Sequence, residues 1–216
     1  MKKIASPLFQ DLSEAELDTL AAAGHLRTRQ FAKHEVIFHA GSCVREIGIV
    51  LRGSVHIENL DLWGTKSILS SVGAGQAFAE TYAFCGEALM VDAVAAEHCE
   101  ILFLHTAALT DARIEPALKD KLLRRLLAVS MRKNLSLSQR IFCTTPKTVR
   151  GRLLTYFSAQ AARCGRMEFE VPFNRQQMAD HLNLDRSALS KELCKMRDEG
   201  LLEFDKNRFV LKQLPE

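Results

Sequence analysis

The spacing of apolar positions changes three times along the chain, and each change predicts a different kind of element. Near the start, Leu12, Leu17 and Leu20 recur at helical intervals. Ser13 stands where an N-cap belongs, and Glu16 three residues later completes a capping-box pattern. Residues 6–26 therefore read as a short helical lead-in closed by a glycine. From about Phe31 to His105 the pattern turns to short β-rich runs at 35–39, 47–51, 54–58, 66–72, 93–96 and 100–104. Gly41, Gly53, Gly64, Gly73 and Gly75 fall between them. In Ser54-Val55-His56-Ile57-Glu58 apolar and polar residues alternate, as a strand with one dry and one wet face requires. Many short strands at near-regular spacing predict a β-sandwich or jelly roll.

At Glu115-Pro116 the period lengthens again. Proline at a first helical turn is followed by a stretch to about Cys143 without another proline or any glycine, which predicts one long helix over 115–143. Leu123, Leu127, Ser130, Asn134, Leu137 and Ile141 are spaced 4, 3, 4, 3 and 4, a seam of heptad type that calls for a partner helix. Leu122, Leu126 and Val129 form a second apolar stripe, able to pack on the β-domain of the same chain. Two stripes on one helix favour a homodimer; the alternative is that the seam packs only within its own chain. Asn134 reads either as a polar register-setter on the seam or as a solvated surface residue.

Thr145-Pro146 breaks the chain, and a further helix over 147–162 ends near Gly165. Asn174 is the expected N-cap of a helix running to His181-Leu182, and Asp185 caps a second helix in which Leu189, Leu193 and Met196 recur at spacings of 4 and 3 before Gly200. Two short helices joined by a tight turn make a helix-turn-helix. The alternation of aromatic, basic and Asn residues from Phe204 to Val210 predicts a small hairpin, the wing of a winged module. The resulting division is a β-roll domain over 1–114, the long helix over 115–143 and a winged helix-turn-helix domain over 144–216, in an α+β fold.

Composition narrows the classes. With 47% hydrophobic and 25% charged residues the chain is of ordinary globular type, not intrinsically disordered. No run approaches the roughly 18 consecutive apolar residues of a membrane span. The basic Met1-Lys2-Lys3 is followed by Ser6-Pro7, Asp11 and Glu14 rather than an apolar segment, so no secretory signal is read and the cytoplasm is the expected location. Residues 1–143 carry 16 Lys and Arg against 16 Asp and Glu, whereas 144–216 carry 13 against 10. The whole formal excess of +3 lies in the last third, a faint sign of a unit facing nucleic acid.

Three groups of residues resemble the cAMP receptor protein and FNR (Crp-Fnr) family of bacterial transcription regulators, over nearly the whole chain. They are Pro7-Leu8-Phe9 with Leu12-Ser13; Gly41, Gly53-Ser54-Val55 and Gly75-Gln76-Ala77-Phe78-Ala79-Glu80; and Asn174-Arg175-Gln176-Gln177-Met178-Ala179 through Asp185-Arg186-Ser187-Ala188-Leu189-Ser190 to Gly200-Leu201-Leu202. The last group is the most specific. The resemblance implies a cyclic-nucleotide-binding-like β-roll that senses a small signal, a dimerisation helix, and a winged helix-turn-helix that reads a palindromic double-stranded DNA site. RNA polymerase is a further partner if the regulator is an activator.

In a major groove the N-terminal side chains of the second helix reach base edges. Arg186, Ser187, Ser190 and Lys191 share a face opposite Leu189 and Leu193. Arg186 can take guanine O6 and N7 in a bidentate way, and Lys191 can reach guanine or phosphate. Relatives often carry Glu at the position of Ser187 and Arg at that of Lys191, so a different or weaker site preference is expected. Arg175 and Gln176 match positions that hold DNA phosphates in the family.

For the signal, cAMP-binding relatives use a short helix after Gly-Glu, with an Arg-Ser or Arg-Thr pair about ten residues beyond the Glu. Glu80 is kept, but the Arg position falls at Met90 or Val91, followed by Asp92. Losing that cation costs on the order of 3 kcal/mol in anion binding. The expected effector is therefore a small molecule other than cAMP, unidentified, in an apolar pocket formed by Tyr82, Phe84, Met90 and Val91 with Glu80. Val129 and Ser130 approximately match ligand-touching positions of relatives.

The six cysteines lie far apart, with no CxxC, and the first is Cys43, so the N-terminal cluster of the iron–sulfur branch is missing. Cys85, in the expected sensor loop, and Cys194, in the recognition helix, are expected to be buried and inert; thiol sensing is the alternative if either is exposed. His25, His34, His39, His56, His98 and His105 contain no HxH or HExxH, which leaves haem sensing as a further alternative without a marked ligand. A remote alternative, a cupin-like metalloenzyme, lacks a visible His/Glu cluster. No enzymatic activity, metal or definite cofactor is read.

Overall fold

A computed structural model describes residues 4–60 and 66–212. Gly64 and the basic Met1-Lys2-Lys3 lie outside the described residues. The backbone forms two compact units, residues 1–132 and 133–216.

The first unit opens with a single 3-10 turn at Pro7–Phe9 and helix α1 (Glu14–Ala22). The Ser13 hydroxyl accepts from Glu16 N–H while Glu16 Oε2 accepts from Ser13 N–H at 2.8 Å, the reciprocal box the sequence predicts. Eight strands follow: β1 (Leu26–Phe31), β2 (Val36–Phe38), β3 (Glu46–Arg52), β4 (Val55–Leu60), β5 (Lys66–Val72), β6 (Ala77–Phe78), β7 (Asp92–Ala95) and β8 (Cys99–His105), with helix α2 (Glu80–Cys85) between β6 and β7. They form two antiparallel four-stranded sheets, ordered β1-β8-β3-β6 and β2-β7-β4-β5.

The interior between the sheets is filled by Phe31, Val50, Val55, Val72, Phe78, Ala93, Ala95, Ile101 and Phe103. Four aromatic rings interlock there, Phe31 on Phe103 at 6.1 Å and Phe38 on Phe78 and Phe103 at 5.8 and 5.6 Å between centroids. The outer face of the first sheet carries the alternate residues Ile47, Ile49, Leu102 and Leu104. These pack with Leu17 and Leu20 of α1, Ala83 of α2, and Leu118, Leu122 and Leu126 of the long helix α3 (Pro116–Thr144). Strand β8 is thus dry on both faces, which is why its sequence runs apolar without alternation.

Two strands escape the sequence pattern. β1 falls between the helical lead-in read over 6–26 and the first predicted strand at 35–39: only Leu26 and Phe31 are buried, and the four residues between them are exposed, so an edge strand carries no apolar alternation. Its register on β8, Leu26 opposite Leu104 through Phe31 opposite Cys99, holds it in place. β6 is two residues long and pairs with Gly48 and Ile49. Glycine is required at Gly48, where a Cβ would lie 2.2 Å from the Phe78 ring.

The second unit contains the last turns of α3, helix α4 (Val149–Cys164), strand β9 (Glu168–Glu170), helices α5 (Arg175–Leu182) and α6 (Arg186–Asp198), and strands β10 (Leu202–Asp205) and β11 (Arg208–Leu211). β10, β11 and β9 form one antiparallel sheet. The core joins Leu153, Tyr156 and Phe157 of α4 with Met178, Leu182, Leu189, Leu193, Met196 and Phe209. Cys143 belongs to this core and Arg140 donates to the Asp180 carbonyl, so the division between the units falls inside α3 rather than at either of its ends. No helix among the described residues is long and apolar enough to cross a membrane.

Candidate DNA interface and sensing region

The helix-turn-helix is fixed by local chemistry at each joint. At the start of α5, Asn174 Oδ1 accepts from Gln177 N–H and Gln177 Oε1 accepts from Asn174 N–H, both at 2.9 Å. Asn183 then takes a left-handed φ of 52° and turns the chain. Asp185 opens α6 by accepting from Ala188 N–H at 2.9 Å and from the Ser187 hydroxyl at 2.5 Å, and these donors hold its carboxyl below the usual range.

Two arginines of α4 brace the motif from behind. Arg152 donates to the carbonyls of Pro146, Leu182 and Asn183 at 2.8, 3.1 and 2.7 Å, satisfying carbonyls left free where α5 ends. Arg150 pairs with Glu192 and Glu199 at 2.6 and 2.8 Å, tying α4 to the far half of α6. The sequence holds no signal for the contacts with α5 and α6, because those partners lie 30 to 49 residues away.

Burial of Leu189, Leu193 and Met196 leaves Arg186, Ser187 and Lys191 exposed and Ser190 half-buried on the opposite side of α6. Cys194 is exposed on that side as well, and Cys85 is exposed at the end of α2. The expectation that both thiols are buried is corrected: at helical spacing Cys194 sits away from the Leu189 and Leu193 face, and Cys85 precedes the α2-terminating Gly86 at the surface.

At the start of α5, Gln176 is exposed and donates to Asp180 Oδ1 at 2.9 Å. Arg175 is half-buried, its guanidinium 4.9 and 5.2 Å from the ring centroids of Phe204 and Phe209, so it ties α5 to the hairpin. Burial lowers its pKa. Lys206, at the hairpin turn with a φ of 50°, is an exposed cation the sequence reading did not single out.

In the roll, Glu80 is buried in the first turn of α2. Ala79 before it takes a left-handed φ of 62°, a region that favours glycine. Tyr82, Val91, Val129 and Ser130 are half-buried, while Phe84 and Met90 are largely exposed, Met90 at 77%. The apolar side chains that fill the roll are instead the phenylalanines of its interior. Asp92 is engaged by Ala40 N–H at 2.7 Å. No group of three or more His, Cys, Asp or Glu able to hold a metal occurs among the described residues.

The seam residues Leu123, Leu127, Leu137 and Ile141 are exposed in the single chain, as is Asn134. Met131, Leu135 and Phe142 are exposed too, apolar positions of α3 that the heptad reading missed because they fall beside its 4,3 spacing.

Residues 28–113 match the family model of the cyclic nucleotide-binding domain, and residues 151–216 match that of the Crp-like helix-turn-helix domain. The chain belongs to the Crp-Fnr family. It is a Crp-like DNA-binding transcription regulator with an effector-binding domain, and its family consists of regulators rather than enzymes.

Solved structures of Crp-Fnr members align over almost the full length. The catabolite activator protein of Thermus thermophilus is 25% identical, covering 96% of this chain and 94% of that one at a TM-score of 0.50. CprK complexed with OCPA is 13% identical, with coverage of 94% and 91% and a TM-score of 0.65. The c-di-GMP-responsive global regulator CLP of Xanthomonas campestris is 18% identical, with coverage of 93% and 100% and a TM-score of 0.55. The last two share the fold. No curated protein matches the chain.

Proposed function

We propose that this Crp-Fnr regulator acts as a homodimer that reads a palindromic DNA site and answers to a small molecule other than cAMP. The observation that carries the DNA reading is α6 itself. It is capped by Asp185 and seated on Leu189, Leu193 and Met196, and it offers Arg186, Ser187, Ser190 and Lys191 on its opposite face. In this reading Arg186 takes a guanine edge, Lys191 a guanine or phosphate, and Gln176 a phosphate. Arg175 offers phosphate the N–H edge of a guanidinium that lies over the Phe204 and Phe209 rings. Residues 1–114 sense, 115–143 dimerise and 144–216 bind DNA, with RNA polymerase a partner if transcription is activated.

The dimer reading is supported by the exposed apolar residues of α3, with Leu127 at 56% and Ile141 at 66% exposure and Leu123, Asn134 and Leu137 on the same seam. The effector reading is supported by the side chains at 90 and 91, neither of which is a cation. An apolar or aromatic effector then contacts α2 near Glu80 and Tyr82, the Met90-Val91 segment, and Val129 and Ser130.

Selection of binding sites from random DNA tests the reading. The wild type should enrich a palindrome, and Arg186→Ala should lose about 1–3 kcal/mol of discrimination at one base pair per half-site. An unchanged selected motif in Arg186→Ala overturns the assignment. The exposure of Cys194 beside these residues favours a second reading, thiol control of DNA binding. Under it, a mild oxidant weakens DNA binding by the wild type and not by Cys194→Ser.

A further inference from the structure

Leu189, Leu193 and Met196 seat α6 in the core of the second unit. Apolar contact is non-directional, so it fixes the depth of a helix more firmly than its rotation or its tilt. Arg150 of α4 supplies a contact of the directional kind. Its Nε donates to Glu192 Oε1 at 2.6 Å, its Nη2 donates to Glu199 Oε1 at 2.9 Å, and its Nη1 lies 2.8 Å from Glu199 Oε2. One planar guanidinium thus holds Glu199 through both carboxylate oxygens and Glu192 through a third bond. The two glutamates are seven residues apart, about 10 Å along α6 and nearly on one line. Two anchor points so separated resist sliding and tilting, and their place off the axis resists rotation.

The charges stand where their own helices disfavour them. Arg150 lies in the first turn of α4, and Glu199 is the C-cap of α6. A cation at a helix N-terminus and an anion at a C-terminus both oppose the helix dipole. Each is compensated across the two helices by the other, and the Arg150 guanidinium holds the Glu199 carboxyl below the usual range. Their side chains keep partial exposure, 33% for Arg150, 21% for Glu192 and 37% for Glu199. Ion pairs this open to water add little to stability, so the consequence of the contact is geometric. At about 100° per residue, Glu192 and Glu199 lie roughly 100° around α6 from Lys191, off the face that carries the base-reading residues.

We propose that Arg150 is a positioning residue for sequence recognition. By holding Glu192 and Glu199 together it fixes the rotation and tilt at which α6 presents Arg186, Ser187, Ser190 and Lys191 to the bases. It thereby sets the discrimination between DNA sequences, without itself reading a base. The proposal rests on the reading of α6 as the recognition helix given above.

The test compares full-length proteins on two duplexes of equal length at one salt concentration, the site selected by the wild type and a scrambled sequence. A change of charge on α4 or α6 shifts both affinities alike, because attraction to phosphate is independent of sequence. A change of pose shifts their ratio. Arg150→Gln should lower the ratio about tenfold while moving the thermal midpoint by only a few degrees. Glu192→Ala/Glu199→Ala should lower it by a similar factor, although it alters the net charge in the opposite direction. Arg150→Lys, a point charge in place of the planar fork, should fall between Arg150→Gln and the wild type. An unchanged ratio in Arg150→Gln overturns the proposal, as does a ratio that rises in the double variant or a lysine that restores it in full. A wild type that selects no site removes the DNA reading and this proposal together; a selected site with an unchanged ratio in Arg150→Gln removes this proposal alone.

Discussion

Ala79 is the residue whose conformation most conflicts with its type. Its φ of 62° places a Cβ in the left-handed region that glycine occupies freely. It does so because the turn into α2 buries Glu80 directly after β6. Ala79→Gly should therefore stabilise the first unit by about 0.5–1 kcal/mol, the relief of αL strain exceeding the added freedom of the unfolded chain. A chemical denaturation midpoint checks it, and a lowered midpoint contradicts it. Asp111 makes a different prediction. Its carboxylate accepts from the backbone and guanidinium of Arg113 and lies 2.7 Å from His25 Nε2, and Arg113 above all holds its pKa far below the usual carboxylate range. Glu46 is lowered likewise by Arg27. A carboxyl whose folded pKa lies below its unfolded value contributes stability above about pH 4 and loses it as the pH falls further. The thermal midpoint should be nearly flat from pH 7 to 5 and drop below about pH 4. Asp111→Asn should lower the neutral-pH midpoint and make the acid-side drop shallower.

Among the elements, α3 has the most divided role. Leu118, Leu122 and Leu126 are spaced four apart and nearly fully buried against the roll, while Leu123 and Leu127, one residue further on, are about half exposed. The two stripes respond to substitution differently. Leu122→Ala empties a packed site and should cost about 2–5 kcal/mol in stability. Leu127→Asp leaves that packing in place and should convert a dimer to a monomer in sedimentation, with the monomer's far-ultraviolet spectrum retained. A Leu127→Asp protein that sediments as the wild type does would mean that the seam is not the dimer contact. The helix-turn-helix shows another form of the same economy. Arg150 and Arg152, two residues apart on α4, hold α6 through two glutamates and α5 through its last carbonyls. The pose of the recognition helix is thus set from outside the two helices that the motif comprises.

For the molecule as a whole, the distribution of charge matters more than its total. A formal net charge of +3 is small, but Arg186, Lys191 and Lys206 are exposed on the helix-turn-helix and hairpin. Binding to duplex DNA should weaken with salt, the logarithm of affinity falling by about 0.9 per phosphate neutralised for each unit of log salt. Lys206→Gln should lower the magnitude of that slope by about two in a dimer, one per copy, with the selected sequence unchanged. A changed motif would mean that Lys206 reads a base rather than a phosphate.

Periodicity alone was enough for the elements that bury one regular face. The capping box at Ser13, the N-caps at Asn174 and Asp185, the long helix and its two apolar stripes are all local patterns, and each is found where the spacing puts it. The Leu189, Leu193 and Met196 core of α6 likewise implies which of its residues remain outside. Elements stabilised by a distant partner were invisible: β1 is held by β8, β6 by Gly48, and the three-residue β9 by β11. Their own side chains carry too few buried positions to set a period. The same limit applies at the sites. Arg186, Ser187, Lys191 and the exposed Cys194 follow from spacing on one face of α6, but the contact of Arg175 with two aromatic rings, the exposure of Met90 and the unpartnered hydroxyl of Tyr156 depend on residues brought together from far along the chain. A one-dimensional pattern encodes which face of an element is dry; which neighbour dries it, and what polar group is left facing that neighbour, exists only once the elements are packed.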